Sequence, residues 1–565
     1  MKTSRLGAIC AWLAVQGPAG FVICLPSGTA NIVDLGYAVH QGSYNVSLLF
    51  ILIQSISLSA SDKSGIFYSM NIRYAEPPLR WSPPTFPRTI NRTVDDGGVQ
   101  RICPQSFPRW ILQPRAEAAG IPVETLVNIL MSDQRMTEDC LFLDVYVPST
   151  ILAQKDNVRS RSAVMVWIHG GGYDIGYKDQ APFDTPGGLL ARSQFDDQEG
   201  VIFISINYRL GMFGFLYDES ADMVGNAGLW DQRLALEWVQ QYVHLFGGDK
   251  NRVTIVGESA GGGSVLHQVT AFGGKGNAPF TAAISQSPAV FITANASEIW
   301  DTTVAEASLV TGAEITTVQQ LRQLNSSTLI KINQAAVFGS DYGVFTYGPL
   351  VDQVFVPDLA GVLLLNGKFY HGIKVMTGYN KNESGLFNPI IKTNEELVSF
   401  LQSTYPMSDS ARDFVLSDLY PNILDGTYGY TTQADRTRVL IDDMIFTCNT
   451  HFLDTAFQEI SYGYRFEYPP GLHGQDLAWT FFVDEDPAVS PELAITMQRY
   501  FANFAMTGNP NGKATGNLPQ FPLYGKNATL ATFGINGVGV AHDAAVNPRC
   551  DFWQKGTFRS MELTI

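Results

Sequence analysis

The sequence predicts an α/β protein with a large, mostly parallel β-sheet that is flanked by helices. Residues 163–168 and 201–207 form continuous apolar runs, which are typical of strands covered on both faces. Helical stretches separate such runs, and this alternation indicates parallel strands joined by helices. The longest predicted helix covers residues 225–246, and further strands are predicted at residues 282–284, 373–377 and 464–468.

A second long helix is predicted near the C-terminus. Ser490 and Pro491 have the residue types of an N-cap and a first helical turn, and Gly508 is a typical helix stop. The residues with helical spacing that would form its buried stripe are Leu493, Met497, Phe501 and Phe504.

The composition is that of a globular protein with a substantial core. The chain has 565 residues, of which 45% are hydrophobic and 16% are charged, and its net charge is −16. An acidic surface repels phosphate, so the charge argues against a nucleic-acid partner. No linker-like stretch divides residues 31–565, and we expect them to form one domain.

The N-terminus has the order of a secretory signal peptide. Lys2 and Arg5 precede a mostly apolar stretch over residues 6–24, and small residues follow at 27–30. A membrane anchor is the alternative, but Gly17 and Pro18 interrupt a run that is barely long enough to span a bilayer. We therefore predict a signal over residues 1–30, cleaved between positions 20 and 30, and a secreted protein without a stable membrane anchor.

Export would bring the chain into an oxidising, glycosylating compartment. The pattern Asn-X-Ser/Thr predicts glycans at Asn91, Asn295, Asn325 and Asn527. Four cysteines would remain after signal removal, an even number that suits disulfide bonds and allows three pairings. These are Cys103, Cys140, Cys448 and Cys550.

An atypical insertion is predicted near residues 46–66. The apolar run 46–53 leads into a serine-rich stretch over residues 54–64, and neither fits a membrane span or an amphipathic helix. A translated intron would explain the segment. The Asn45 glycosylation pattern beside it is therefore suspect.

The pentapeptide from Gly257 to Gly261, with the sequence GESAG, predicts a sharp turn between the strand at residues 253–256 and a helix. A G-x-S-x-G turn needs small residues two positions before and after the serine, because the strained backbone leaves no room for side chains. The pattern alone also matches ordinary Ser/Gly loops. Its place between a strand and a helix predicts that Ser259 is a nucleophile.

A nucleophilic serine needs a base within hydrogen-bond reach, and in this strand-turn-helix setting the base is a histidine late in the chain. Three histidines are late enough, namely His451, His473 and His542. His473 lies in a glycine-flanked loop directly after a predicted strand, so we predict that it is the base. His451 has a helical context near Cys448, where a packing role is expected.

The acid that orients the base should lie between the serine and the histidine. Glu383 follows the strand predicted at residues 373–377, and we predict that it is this acid, although an exposed loop carboxylate is the alternative. Asn382 also matches the glycosylation pattern. A glycan beside a buried acid would obstruct packing, so we expect Asn382 to be unmodified.

Backbone N–H groups are predicted to stabilise the oxyanion of a tetrahedral intermediate. Residues 169–173, with the sequence HGGGY, follow a predicted strand and offer backbone without side chains. We predict Gly171, Gly172 and Ala260 as the donors. A phosphate cradle is the alternative, but it needs a following helix N-terminus and usually a lysine, which residues 173–175 do not offer.

Taken together, these motifs resemble the type-B carboxylesterase/lipase family, which includes cholinesterases and fungal lipases. Residues 246–261 resemble its serine signature, and residues 138–148 resemble its second signature around a disulfide cysteine. Residues 207–211 and 225–232 are similar to two further family blocks. The likeness runs from about Val33 to Trp553.

The resemblance implies an α/β-hydrolase fold with a small N-terminal antiparallel sheet, a triad of Ser259, Glu383 and His473, and disulfides Cys103–Cys140 and Cys448–Cys550. It also implies auxiliary roles for Ser287 and Glu258 beside the triad and a structural pair between Arg80 and Glu138. The insertion departs from the family, and we expect it to interrupt the N-terminal sheet and to impair folding rather than chemistry. The second loop, which cysteines close in many members, has no cysteines here, and this leaves the lip of the active-site gorge and the choice of substrate open.

The resulting prediction is a secreted serine hydrolase of carboxylic esters that acts through an acyl-enzyme on a small-molecule or lipid ester, without a metal or cofactor. Acyl transfer to an alcohol, for example in a biosynthetic pathway, uses the same chemistry and is one alternative. A non-catalytic binding or adhesion protein is the other, and the retained triad argues against it.

Overall fold

A computed structural model describes residues 8–13, 21–26, 32–45, 66–180, 186–195, 198–290, 296–405, 407–457, 460–483, 486, 488–512 and 518–559. Its strands are β1 Ala8–Leu13, β2 Phe21–Pro26, β3 Ile32–Asp34, β4 Val39–Gln41, β5 Ser43–Asn45, β6 Ile66–Arg73, β7 Val94–Asp95, β8 Phe142–Pro148, β9 Ser162–Ile168, β10 Val201–Ile206, β11 Gly248–Glu258, β12 Ala282–Gln286, β13 Lys374–Asn380, β14 Ser461–Phe466, β15 Thr529–Gly534 and β16 Gly537–His542.

Helices connect these strands and cover both faces of the sheet. The α-helices of the described residues are Arg109–Ala119, Val123–Met131, Ser149–Leu152, Gly187–Ser193, Gly211–Phe215, Ala227–Tyr242, Ala260–Thr270, Ala296–Thr311, Val318–Gln323, Ser326–Phe338, Ala360–Leu365, Asn394–Thr404, Asp409–Phe414, Gln433–Asp442, Cys448–Ala456, Leu477–Thr480, Pro491–Thr507 and Pro548–Lys555. None of them combines the length and the apolar content that crossing a bilayer requires.

In the described part of the chain, the central sheet has 11 strands in the order β16-β15-β14-β13-β12-β11-β9-β10-β8-β6-β5. The block from β10 to β15 is parallel, whereas β16 at one edge and β8, β6 and β5 at the other are antiparallel to their neighbours. This arrangement confirms the predicted α/β class with a mostly parallel sheet.

The strand β9 shows why the central strands have continuous apolar sequences. Val164, Val166 and Ile168 pack into the core on one face of the sheet, and Ala163, Met165 and Trp167 pack into the core on the other. The helix Ala260–Thr270 covers the first face, and the helix Pro491–Thr507 covers the second. Helices on both faces leave no side of the strand for polar residues.

The N-terminal strands form two smaller sheets. β3 and β4 of the small N-terminal sheet pair antiparallel, and the short strand β7 pairs in parallel with β4. β1 and β2 pair with each other in a separate antiparallel sheet. They lie within the segment predicted as a signal peptide, whose other residues are outside the described part, and the signal remains a prediction.

The predicted insertion lies in the chain between β5 and β6. Residues 46–65 are outside the described residues, but β5 and β6 on either side pair antiparallel, with Asn45 opposite Ile66. β6 also pairs with β8, so the sheet is continuous here, contrary to the expected interruption.

Two disulfide bonds join the cysteines in the pairing that the family resemblance implies. Cys103 is bonded to Cys140 and Cys448 to Cys550. The expected structural pair is also formed, since Arg80 donates to both carboxylate oxygens of Glu138, at 2.8 and 2.7 Å. Among the predicted glycosylation sites, Asn91, Asn325 and Asn527 are exposed and Asn295 lies outside the described residues.

Candidate active site

Ser259 stands at the turn between β11 and the helix Ala260–Thr270, as the pentapeptide predicts. Its backbone is left-handed, with φ 61° and ψ −125°. A Cβ on Gly257 would overlap the carbonyl of Gly261, and a Cβ on Gly261 would overlap the carbonyl of Ile168. The turn therefore has no space for side chains at either glycine.

The structure brings Ser259, His473 and Glu383 into one hydrogen-bonded chain. His473 Nε2 lies 2.7 Å from Ser259 Oγ, and His473 Nδ1 lies 2.6 Å from Glu383 Oε2. The Glu383 side chain is fully buried and 8% of the His473 side chain is exposed. These are the distances that proton transfer between a serine and an oriented histidine requires.

The sheet explains how residues so far apart in the chain meet. β9, β11, β12, β13 and β14 are neighbours and parallel, so their carboxyl ends lie at one edge of the sheet. Ligand sites in such sheets form at this edge. The residues that directly follow these strands, or that lie in the loops after them, include His169, Ser259, Ser287, Glu383 and His473.

Glu383 is held on the side away from the histidine. Ser287 donates from Oγ to Glu383 Oε1 at 2.6 Å, and the backbone N–H of Asn380 donates to the same oxygen. Ser287 has a left-handed backbone, with φ 44°. The location of Ser287 agrees with the auxiliary role that the resemblance implies.

Asn380 and Asp476 extend this network, and sequence reasoning missed both. Asn380 Nδ2 donates to Ser287 Oγ and to Asp476 Oδ1, each at 3.1 Å. Asp476 Oδ2 accepts from Tyr464 at 2.6 Å and from Gln286 at 3.0 Å. Burial raises the pKa of Asp476. The sequence places Asp476 three residues after His473, but this spacing alone does not indicate a chemical role.

Glu258 also reaches the histidine. Its Oε1 lies 3.3 Å from His473 Nε2, and 5% of the residue is exposed. Burial raises the pKa of Glu258 to about 8, and the nearby His473 opposes that rise. Burial lowers the pKa of His473, but the carboxylates of Glu258 and Glu383 outweigh it and raise that pKa above its usual value. Glu258 and His473 therefore titrate as a coupled pair.

The glycine loop after β9 lies against the serine turn. A Cβ on Gly170 would come within 3.0 Å of Ser259 Cβ and within 2.6 Å of the Glu258 carbonyl. Gly171 and Gly172 have φ values of 105° and 63°, and among the described residues no acceptor takes their N–H groups. Ala260 is the first residue of its helix, where N–H groups have no intrahelical acceptor.

His169 fixes the start of this loop. Its ring stacks on Tyr208 with centroids 4.4 Å apart, and its Nδ1 lies 2.9 Å from the Gly170 carbonyl. The Tyr208 hydroxyl donates to the His169 carbonyl at 2.9 Å. Burial lowers the pKa of His169 to about 4, so the ring is neutral at ordinary pH.

Aromatic side chains surround the site, and the sequence did not indicate which ones. Phe446 and Phe387 contact the His473 ring, with centroid distances of 4.5 and 5.1 Å. Phe446 lies in a π-helical segment, Asp443–Thr447, that joins two α-helices. Such segments often occur at functional sites. Phe345 covers Gly172, whose Cβ would overlap its ring.

The remaining candidates lie elsewhere. His451 Nδ1 is 2.7 Å from the Tyr524 hydroxyl, in a packing position as predicted, and His542 is exposed. Asn382 donates from Nδ2 to the Pro470 carbonyl at 2.5 Å, and its unmodified state remains a prediction. Among the described residues, the potential metal ligands that come together are Asp443, Cys448 and Cys550, but the two sulfurs form a disulfide and are not thiolates.

Comparison with known proteins defines the class of the chain. The model of the carboxylesterase family matches residues 58–553. The chain therefore belongs to this family and is a carboxylic ester hydrolase, and the predicted resemblance is confirmed.

Individual relatives cover nearly the whole chain. Carboxylesterase patB of Aspergillus clavatus is 36% identical over 96% of this chain and 99% of its own length. A secreted lipase of Arthroderma benhamiae is 29% identical over 90% of this chain and 97% of its own length. The crystal structure of Aspergillus niger EstA superposes with a TM-score of 0.74 at 23% identity, covering 94% of this chain and 99% of EstA. The likeness to this solved structure establishes the α/β-hydrolase fold.

Proposed function

We propose that the protein is a secreted carboxylic ester hydrolase that works through a Ser259, His473 and Glu383 triad and an acyl-enzyme intermediate. The observation that carries the proposal is the hydrogen-bonded chain from Ser259 Oγ through His473 to Glu383, with separations of 2.7 and 2.6 Å. A serine hydroxyl is unreactive near neutral pH unless such a base removes its proton.

In the acylation step, Ser259 Oγ attacks the carbonyl carbon of the ester while its proton moves to His473 Nε2. Glu383 keeps Nδ1 protonated and stabilises the imidazolium that forms. The carbonyl oxygen becomes negative and accepts hydrogen bonds from the N–H groups of Gly171, Gly172 and Ala260. When the carbon–oxygen bond to the alcohol breaks, His473 returns the proton to the leaving oxygen.

In the deacylation step, water replaces the alcohol. His473 accepts a proton from the water as its oxygen attacks the acyl carbon, and the same N–H groups stabilise the second oxyanion. The bond to Ser259 Oγ breaks, the proton returns to Ser259, and the carboxylic acid leaves. A competing alcohol in place of water would give acyl transfer through the same intermediate.

Secretion is supported by three observations. The N-terminal residues have the order of a signal peptide. Two disulfide bonds join the four cysteines outside that segment, which suits an oxidising compartment. One relative is named a secreted lipase.

The test is hydrolysis of p-nitrophenyl esters with acyl groups from acetyl to decanoyl, combined with labelling by an organophosphonate. Ser259→Ala should lower kcat about a million-fold and abolish labelling. Ser193→Ala is the matched control, since Ser193 is a buried serine in a helix on the opposite face of the sheet, and it should keep both properties.

The outcomes separate the alternatives. A parent protein that neither labels nor cleaves any ester would indicate a binding protein and contradict the proposal. A new ester formed in the presence of an added alcohol, faster than hydrolysis, would indicate an acyltransferase. The rates along the acyl series would distinguish an esterase from a lipase.

A further inference from the structure

We propose that Asp442 is a positioning residue for the acid Glu383, because it holds the short turn on which Glu383 lies. The inference rests on the proposed function, in which Glu383 orients His473. Asp442 is remote in the chain from the triad and belongs to none of the sequence motifs described above.

The turn in question is the 3₁₀ segment Glu383–Leu386, which follows β13. Its second residue, Ser384, is fully buried and uses all of its polar groups. The backbone N–H of Ser384 donates to Asp442 Oδ1 at 2.5 Å, and its Oγ donates to the Arg438 carbonyl at 3.0 Å. The Ser384 carbonyl accepts from the Phe387 N–H at 2.9 Å.

Asp442 is itself fixed by an ion pair. Arg438 lies one turn earlier on the helix Gln433–Asp442 and donates from Nη1 to Asp442 Oδ2 at 2.8 Å. Only 8% of the Asp442 side chain is exposed. One carboxylate oxygen thus faces the guanidinium and the other faces the Ser384 N–H, which is a geometry that pairs both oxygens with donors.

The same helical region contacts a second triad residue. The helix runs into the π-helical segment Asp443–Thr447, and Phe446 of this segment packs against the His473 ring with centroids 4.5 Å apart. Asp442 contacts the residue after Glu383, and Phe446 contacts His473. Two residues of this region, Asp442 and Phe446, therefore contact the turn of the acid and the ring of the base.

Without the Asp442 carboxylate, the buried N–H of Ser384 has no acceptor, and leaving it unpaired is unfavourable. The turn would then move to find a new partner, and Glu383 would move with it because it is the preceding residue. The carboxylate of Glu383 is 2.6 Å from His473 Nδ1, so a small shift changes the orientation of the base. A misplacement of about 1 Å can lower a rate by roughly 100-fold.

The experiment compares three variants of the full chain. Asp442→Leu removes the acceptor and keeps a similar volume. The double variant Asp442→Asn, Arg438→Gln removes the charges but leaves an amide oxygen for Ser384. Asp443→Ala is the matched control, because the Asp443 carboxylate is also buried but faces Tyr420 and Arg549 instead of the triad.

The readouts are kcat and KM on a p-nitrophenyl ester, with the enzyme concentration set by organophosphonate titration so that only folded sites are counted. Asp442→Leu should lower kcat by about 10- to 100-fold with KM changed by less than about twofold. The neutral amide pair should recover kcat to within about threefold of the parent. Asp443→Ala should lower the melting temperature without lowering kcat per titrated site.

Two results would overturn the inference. One is a kcat per titrated site in Asp442→Leu equal to that of the parent, and the other is an equal loss of kcat in Asp443→Ala. A failure of the proposed function is distinguishable from either, because it would appear as a parent protein that neither labels nor cleaves an ester, or as activity in Ser259→Ala. If Asp442→Leu yields no folded protein, the single variant Asp442→Asn replaces it, because its one amide oxygen cannot accept from both Arg438 and the Ser384 N–H. Its kcat should then be lower than that of the double variant, and an equal kcat in the two would overturn the inference.

Discussion

Alanine substitutions at Gly171 and Gly172 should have different consequences, because different neighbours occupy the space beside each glycine. A Cβ on Gly171 would overlap the backbone carbonyl of Ile175, and the residue has φ 105°. A Cβ on Gly172 would overlap the ring of Phe345, and the residue has φ 63°, which alanine can adopt at moderate cost. The first obstacle is backbone within the same loop, and the second is a side chain.

The magnitude follows from these overlaps. Each overlap requires a movement of roughly 1 Å before ordinary van der Waals contact is restored. For Gly171→Ala the loop itself must move, which displaces the N–H donors proposed for the oxyanion and should lower kcat about 100-fold, or about 2.7 kcal/mol. For Gly172→Ala the ring can move instead, so the loss of kcat should be smaller.

The assay is a double-mutant cycle with Phe345→Ala, measuring kcat on p-nitrophenyl acetate and thermal unfolding. Phe345→Ala should recover much of the kcat lost in Gly172→Ala and none of that lost in Gly171→Ala. Gly120→Ala is the control for the backbone, since Gly120 has φ 67° and open space beside it, and it should lower stability by about 1 kcal/mol at unchanged kcat. Equal recovery of both variants, or a kcat in Gly171→Ala within about threefold of the parent, would refute the reasoning.

Two other predictions concern the coupled carboxyl and the disulfides. Glu258→Gln removes a carboxylate that raises the pKa of His473. Because His473 must be unprotonated to act as a base, the acid limb of the pH profile of kcat/KM should move to lower pH. The profile is measured on a neutral ester, and a shift to higher pH would contradict this prediction. The disulfide Cys448–Cys550 spans 102 residues and Cys103–Cys140 spans 37. When each pair is changed to serine, loop entropy predicts that the free energy of unfolding falls by about 4.7 kcal/mol for the first bond and about 3.8 kcal/mol for the second. Urea unfolding with the reverse order would show that native contacts, rather than chain entropy, determine the difference.

The central strands were predictable because burial on both faces leaves a local mark on the sequence. β9 and β10 begin and end within a residue of the apolar runs at 163–168 and 201–207. The helix Pro491–Thr507 begins and ends where its cap residues and Gly508 indicate. β11 was predicted too short, because its first half, from Gly248, is polar and pairs at the sheet margin beyond a register shift.

The geometry of Ser259, Glu383 and His473 agrees with the sequence-based expectation because each follows a strand of the parallel block. The chain order of turn, acid and base is then enough to place them at one edge. The contacts of Asn380, Asp442 and Asp476 could not be predicted in this way. They depend on the pairing register of β13 and β14 and on a π-helical segment, which are properties of tertiary packing that no local pattern records.

The buried carboxyls around His473 differ in how their oxygens are paired with hydrogen-bond donors. Glu383 accepts hydrogen bonds from Ser287 and the Asn380 backbone, and Asp476 accepts from Asn380, Tyr464 and Gln286. Glu258 Oε1, in contrast, has no hydrogen-bond donor among the described residues other than the His473 ring at 3.3 Å.

Ionisation of a buried carboxyl with such an unpaired oxygen is favoured by a nearby cation. In the proposed mechanism His473 is cationic after it takes the proton of Ser259, and neutral before and after each step. We therefore expect the ionisation of Glu258 to follow the charge of His473 through the catalytic cycle. The serine turn thus contributes a titrating neighbour as well as the nucleophile, and Glu258→Gln is the substitution that separates the two contributions.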